Sequence, residues 1–246
     1  MFSDINLFEG GNVFKAADGQ SATTRISREN VVPTVQWLEQ LTGLNLVDNM
    51  LGSTGRNETS GDLDIGVDSS KITKEVLIQQ LERRGIDRND IRKTGDSVHL
   101  KTPILGDPAN GYVQTDFMFG HPDWQKFRYM GGGVGQFKGM HRAILLSSIA
   151  KELGYIFSNK DGLLNRSNRD VITTDPAEAA KLLIGGTVED TRTVDSIIKK
   201  IKNHPKYEQL VADAKKAFEK ENLVLPEDSV LPGTGAWYRQ FVNRRV

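Results

Sequence analysis

Residues 51–68, LGSTGRNETSGDLDIGVD, constrain this chain more than any other stretch of it. Leu63, Ile65 and Val67 alternate with Asp62, Asp64 and Gly66, which is the period of a half-buried strand. The three apolar side chains are expected to face a core, which puts Asp62 and Asp64 together on the opposite face. Two carboxylates side by side repel each other unless a cation or a proton lies between them. Mg2+ suits such a pair, being a hard ion that prefers carboxylate, water and phosphate oxygens. Just upstream, Gly52, Ser53 and Gly55 predict a turn whose small residues let backbone N–H groups close around an anionic oxygen. Arg56 adds a cationic fork suited to phosphate. A Gly-Ser turn or an Asp-x-Asp strand by itself is common at solvated edges. In this order, with apolar residues between the carboxylates, they read as a divalent-metal site beside a phosphate cradle.

A two-metal site needs a third carboxylate, and the strand expected over residues 112–119, YVQTDFMF, supplies one. Val113, Thr115, Phe117 and Phe119 share one face, while Gln114, Asp116 and Met118 share the other. An acid placed mid-strand between aromatics is costly to bury unless it is paired or metal-bound. Asp116 is therefore the expected third ligand and proton acceptor. The alternative is a carboxylate on the exposed face of an edge strand.

Gly52-Ser53, Asp62-Leu63-Asp64 and Asp116 resemble the nucleotidyltransferase superfamily in its DNA polymerase beta-like (family X) form. That family pairs a Gly-Ser turn with an Asp-hydrophobic-Asp strand and a later Asp on a neighbouring strand. Ser60-Gly61 and Arg56 match it too. The likeness continues through residues 131–142, GGGVGQFKGMHR, and the apolar helix after them, where the polymerases carry a loop and helix over the incoming nucleotide. Phe137 and Arg142 fit that pattern. Gly135 and Lys138 stand where the family often has Asp and Asn, and Tyr129-Met130 only loosely echoes its sugar-reading Tyr-Phe pair.

The resemblance spans residues 45–186 and implies an α/β (α+β) fold: a polymerase-beta-like palm with a mixed sheet, then a small thumb-like lobe and C-terminal helices. The corresponding division is 1–125, 126–190 and 191–246. It also implies two Mg2+ ions, or Mn2+ in their place, held by Asp62, Asp64 and Asp116. Gly52, Ser53, Arg56, Lys138 and Arg142 would contact an NTP or dNTP. The implied reaction moves a nucleoside monophosphate onto a hydroxyl, with a single-stranded nucleic-acid or tRNA 3′ end as acceptor. A protein or small-molecule acceptor, or a non-catalytic nucleotide sensor of the same fold, stays open at this stage. About fifty residues precede the Gly-Ser turn and no helix-hairpin-helix signature is visible, so a pared-down transferase is expected in preference to a gap-filling repair polymerase. The N-terminal segment is similar to bacteriophage nucleotidyltransferases, which implies a host cytoplasm.

Composition leaves the acceptor open. The chain has 246 residues, with 32 basic and 32 acidic, so its formal net charge of zero advertises no bulk attraction to nucleic acid. Cysteine is absent, which excludes disulfides and thiolate ligands and fits any compartment, including a reducing cytosol. Neither a signal peptide nor an apolar run of membrane-spanning length is visible. The histidines at 99, 121, 141 and 204 lack metal-ligand spacing, which argues against zinc.

Elsewhere, residues 8–15 predict a turn and strand. Ser27 is expected to cap a helix over 28–41 with Val31, Val35 and Leu38 on one stripe and Pro33 tolerated in its first turns. Thr73 is expected to cap a helix to residue 84 with Val76, Leu77 and Leu81 inward, followed by a strand over 97–101. A helix over 140–153 should bury Ala143, Leu146, Ile149, Ala150 and Leu153 and expose His141 and Arg142. A short helix should reach Leu183. Two amphipathic helices over 194–202 and 207–221 should break at Pro205, and their lysines make either a backbone-binding surface or an ordinary solvated face. Residues 237–245, WYRQFVNRR, interleave aromatics with arginines, a pattern that can stack bases or dock on a core.

Overall fold

The alternation in residues 62–68 and 112–120 produces two strands that lie side by side, and the rest of the first unit is arranged around them. The structure, a computed structural model, describes residues 13–130 and 137–226. Residues 8–12, the glycine loop 131–136, Pro232 and the segment 237–245 lie outside the described residues. The fold is mixed α+β, with seven α-helices among the described residues. No helix among them is long and apolar enough to cross a membrane. Close contacts divide the described chain into two units: residues 13–130, 158–163 and 171–175, and residues 137–157, 164–170 and 176–226.

The first unit begins with strand β1 (Ile26–Ser27), which pairs antiparallel with β2 (Thr59–Ser60). Helix α1 (Arg28–Thr42) follows directly, with Pro33 inside it and Gly43 closing it in the left-handed conformation. A four-stranded mixed sheet contains β3 (Asp62–Asp68), β4 (Ile91–Thr94), β5 (Ser97–Pro103) and β6 (Tyr112–Gly120) in the order β3-β6-β5-β4. The β3–β6 pair is parallel and the other two pairs are antiparallel. Helix α2 (Lys74–Arg83) starts where the Thr73 hydroxyl accepts the Val76 N–H, and helix α3 (Pro122–Arg128) follows β6.

One face of this sheet is apolar. Leu63, Ile65, Val67, Val98, Leu100, Val113, Phe117 and Phe119 pack there with Val31, Val35 and Leu38 of α1 and Leu77 and Leu81 of α2. Each such side chain contributes about 1.5–3 kcal/mol when fully buried, so the alternation that sets this face also sets the opposite one. The inward set on α2 differs from the expected one. Val76 is 43% exposed and Ile78 is buried with Leu77 and Leu81, because the helix turns its apolar stripe one residue further round.

In the second unit, α4 (Gly139–Glu152), α5 (Pro176–Ile184), α6 (Val194–Ile201) and α7 (Tyr207–Glu219) supply most of the buried residues, including Leu145, Leu146, Ile149, Ile197, Ile201, Leu210, Val211 and Phe218. Short strands β7 (Tyr155–Phe157), β8 (Leu163–Asn165) and β9 (Val171–Thr173) lie where the chain passes between the units. Helix α4 is buried nearly all round, and this corrects the expectation that its first turns are exposed. His141 and Arg142 are both interior. The Arg142 guanidinium donates to the Thr191 carbonyl and hydroxyl, and His141 bonds the Lys138 N–H at 2.8 Å and Glu221 at 3.2 Å.

The central place of Phe117 makes a stability contrast. Phe117→Ala should destabilise the protein by about 3–5 kcal/mol, because it opens a cavity between sheet and helices. Val76→Ala should change stability by less than about 0.5 kcal/mol. Urea unfolding of both variants checks the face assignment, and a large loss at Val76 would contradict it.

Candidate metal centre

The residues that share a face with Asp62 and Asp64 follow from strand register. Asp62 pairs with Gln114 and Asp64 with Asp116 across the parallel β3–β6 ladder. Asp116 pairs with His99 across the antiparallel β6–β5 ladder, and His99 pairs with Arg92 on β4. Asp64, Asp116, His99 and Arg92 therefore form one row across four strands, with Asp62 and Gln114 in a neighbouring row. Strand β6 is paired on both sides, so the edge-strand alternative for Asp116 is overturned. Asp116 is 7% exposed on a central strand.

One carboxylate oxygen from each of Asp62, Asp64 and Asp116 lies within 4.8 Å of the other two. At an effective dielectric of about 20, two unit charges at that separation repel by about 3–4 kcal/mol, more than a typical hydrogen bond contributes. Burial, then the charges of Asp62 and Asp116, push the Asp64 carboxyl up to about 8. Burial and Asp116 also raise Asp62, while its backbone hydrogen bond and Arg25 oppose the rise. Three clustered oxygen donors, with the ionisation of Asp62 and Asp64 suppressed, fit a hard divalent cation, which relieves the repulsion that the fold imposes.

Sequence dictates the turn beside this cluster as closely as the strand. The Asp64 N–H donates to the Thr54 hydroxyl at 2.9 Å, and the Asp64 carbonyl accepts from the Leu51 N–H at 2.8 Å. Both backbone groups of the acidic residue are thus tied to the Gly-Ser turn, on the side of β3 away from β6. The Gly55 N–H reaches the Ser60 hydroxyl at 3.2 Å and closes the loop back onto β2. Gly52 has φ +59°, and a Cβ there would lie 3.4 Å from the Asp64 carboxylate. Among the described residues the Gly52 and Ser53 N–H groups make no hydrogen bond, which leaves them available to an anion.

Arg56 has an exposed side chain, and its N–H bonds the Ser53 carbonyl at 3.0 Å within the same turn. Its carbonyl accepts from Arg28 at 2.9 Å. Gly52, Ser53, Arg56 and the three carboxylates all belong to the first unit, whereas Lys138 and Arg142 belong to the second. Lys138 is exposed at the start of α4, and Arg142 is engaged with Thr191 as described above.

Four residues at this face were not singled out by sequence reading. Arg25 is held by the Thr59 hydroxyl and carbonyl at 2.8 and 3.0 Å, with its third nitrogen beside Gly61 and its charge felt at Asp62. Thr54 ties the turn to β3. Gln114 donates to Asp116 at 3.2 Å, and His99 Nδ1 lies 2.7 Å from Asp116 Oδ1. The alternation Val98-His99-Leu100 places His99 on the polar face, but only strand register, which the sequence leaves open, brings it to Asp116. Tyr129, at the end of α3, completes the surroundings. Burial and the charges of Asp64 and Asp96 push its phenol up to about 12, against the opposing effect of Arg128.

No protein-family model and no curated protein matches the chain.

The raised Asp64 carboxyl has a definite consequence for stability. Between its unfolded value of 3.8 and its folded value of about 8, the folded chain holds a proton that the unfolded chain releases. This contribution to stability is full below that window and is lost as pH rises through it. Without divalent cations, Tm should therefore fall by roughly 5–10 °C between about pH 5 and pH 8.5, equivalent to about 2–3 kcal/mol. Mg2+ should restore it more at the high end, and Asp64→Asn should flatten the slope. Differential scanning fluorimetry tests this, and a pH-independent Tm in the metal-free protein would count against a strained carboxylate cluster.

Proposed function

We propose that the chain is a nucleotidyltransferase with a polymerase-beta-like palm, acting on a nucleoside triphosphate and a hydroxyl acceptor. The observation that carries this reading is the row Asp64-Asp116 with Asp62 alongside, its three oxygens within 4.8 Å, set against a glycine turn bonded to the backbone of Asp64. A phosphate cradle and a divalent-cation site joined through one residue suit chemistry on a phosphate chain.

Asp62, Asp64 and Asp116 would hold two Mg2+ ions, with Mn2+ as a substitute. When bound, such ions neutralise the triphosphate and lower the pKa of an acceptor hydroxyl. The turn N–H groups of Gly52 and Ser53, together with Arg56, bind the β- and γ-phosphates, and Arg25 extends that positive rim on the Asp62 side. Asp116 takes the proton of the acceptor hydroxyl. The acceptor oxygen forms a bond to the α-phosphorus as the bond to the bridging β-phosphate oxygen breaks, and pyrophosphate carries away the electron pair. Orientation of the two reactants accounts for much of the rate, since it replaces an encounter in solution by a fixed in-line approach. A nucleic-acid 3′ end is the acceptor we favour on the likeness to the polymerases.

Incorporation of α-labelled ribo- and deoxyribonucleotides into single-stranded DNA, RNA, tRNA, the protein itself and small hydroxyl compounds tests the reaction and its acceptor together. Asp62→Ala, Asp64→Ala and Asp116→Ala should each reduce label to background in folded protein. Arg25→Ala should raise KM for the nucleotide by about tenfold with a smaller change in kcat, the pattern of a contact made equally in the ground and transition states. Undiminished transfer in all three aspartate variants would overturn the assignment.

A further inference from the structure

The buried polar side chains His99 and Gln114 on this face have no role in the reaction as described so far. His99 is 8% exposed and stands in the same cross-strand row as Asp64 and Asp116. Its Nδ1 faces Asp116 Oδ1 at 2.7 Å, and its Nε2 faces the Thr94 hydroxyl. A ring nitrogen at that distance from a carboxylate donates, so Nδ1 carries a proton and the Thr94 hydroxyl satisfies the far side of the ring. The second oxygen of Asp116 is also held. Gln114 Nε2 donates to Oδ2 at 3.2 Å, and the orientation of that amide is set by the Val13 N–H, which donates to Gln114 Oε1 at 2.9 Å.

We propose that His99 is the positioning residue of this centre: it fixes the Asp116 carboxylate in one orientation so that one remaining lone pair faces the cation and the other the acceptor hydroxyl. The proposal rests on the metal-centre reading above and deepens it. A carboxylate offers about four lone-pair directions, and two are occupied here by one protein donor on each oxygen. One direction per oxygen is left, and both oxygens are immobilised before any cation arrives. Asp64 differs in kind. Burial and like charges dominate its surroundings, and its fixed contacts run through the backbone to Thr54 and Leu51. The centre thus combines a ligand preset by side-chain donors, Asp116, with a neighbour, Asp64, held through its backbone.

The choice of histidine has a physical reason. An imidazole presents its N–H in a fixed direction, whereas a lysine ammonium on a flexible four-carbon stem does not. The Thr94-His99-Asp116 relay orients the carboxylate with a directional donor, the arrangement by which outer-shell partners tune metal sites. Thr94 lies on the exposed edge strand β4, directly before the turn into β5, so the relay is anchored by a hairpin whose register is fixed by four residue pairs.

The test uses the full chain and Mn2+ as the probe, with affinity read by electron paramagnetic resonance and folding checked by circular dichroism. His99→Leu should weaken Mn2+ binding by about 10–100-fold, and in the labelling assay it should lower kcat more than it raises KM for the nucleotide. His99→Asn, which returns an amide donor near the Nδ1 position, should recover most of the affinity, a rescue that a role in packing alone would not give. Thr94→Val, at an exposed position, should weaken binding by a smaller factor. Wild-type Mn2+ affinity in folded His99→Leu would overturn the proposal while leaving the metal centre in place. If that variant does not fold, wild-type affinity in Thr94→Val together with loss in His99→Asn overturns it. A native chain that binds Mn2+ no better than an Asp62→Asn, Asp64→Asn double variant would overturn the centre itself and this proposal with it.

Discussion

Repulsion among three carboxylates is the constraint on which the rest of the first unit depends. Strand pairing brings Asp64 and Asp116 into register and leaves Asp62 one row away, with ligand oxygens within 4.8 Å. The parallel register of β3 and β6 brings these carboxylates together. The hydrophobic face below keeps them so: Leu63, Ile65, Phe117 and Phe119 would all turn to the wrong side if the register slipped by one residue. Burial of apolar area therefore sustains an electrostatically unfavourable arrangement, which is the usual relation between a scaffold and a binding site. The surrounding polar groups divide the labour. His99 and Gln114 hold Asp116 by its side chain, whereas Thr54 and Leu51 hold Asp64 by its backbone.

The Gly-Ser turn gains its meaning from the same connection. A glycine-rich turn near a strand is unremarkable until its distance to a charged group is known. Here Gly52 stands so close to the Asp64 carboxylate that an added Cβ would touch it at 3.4 Å, and its positive φ disfavours any other residue. A ligand that bridges the turn and the carboxylates must carry negative charge towards the first and a cation towards the second. A metal-bound triphosphate answers both requirements, which is the physical link from this geometry to the proposed reaction.

Local pattern made the central elements legible and long-range register did not. The strands at 62–68 and 112–120 and helix α1 follow from period, which was enough to choose their inward faces, and the Thr73 hydroxyl caps α2 as expected, whereas Ser27 stands at the N-cap of α1 without a side-chain capping hydrogen bond. The expected helices after Pro205 and up to Leu183 also match α7 and α5 closely. What escaped was whatever depended on a partner far along the chain. His99 reads as one polar residue among others until β5 pairs with β6, 17 residues downstream of it. Arg25 gains its place beside Asp62 only through the β1–β2 pair. Arg142 shows the opposite error. A charged residue near a helix start was expected to face solvent, but α4 is surrounded by packed helices, and Thr191 lies 49 residues away in sequence with the carbonyl and hydroxyl that satisfy the guanidinium. Val76 escaped for a smaller reason, a rotation of the α2 stripe that makes Ile78 the buried residue.

If Asp62, Asp64 and Asp116 form one cation site adjoining one phosphate site, a single crystal will show both. Anomalous diffraction from crystals grown with Mn2+ and a nucleoside triphosphate analogue with a non-hydrolysable α,β linkage measures both at once. Anomalous density is expected in contact with all three carboxylates, with triphosphate density extending from it to the backbone of Gly52 and Ser53. Manganese bound elsewhere, or a triphosphate lying away from the turn, would contradict that arrangement.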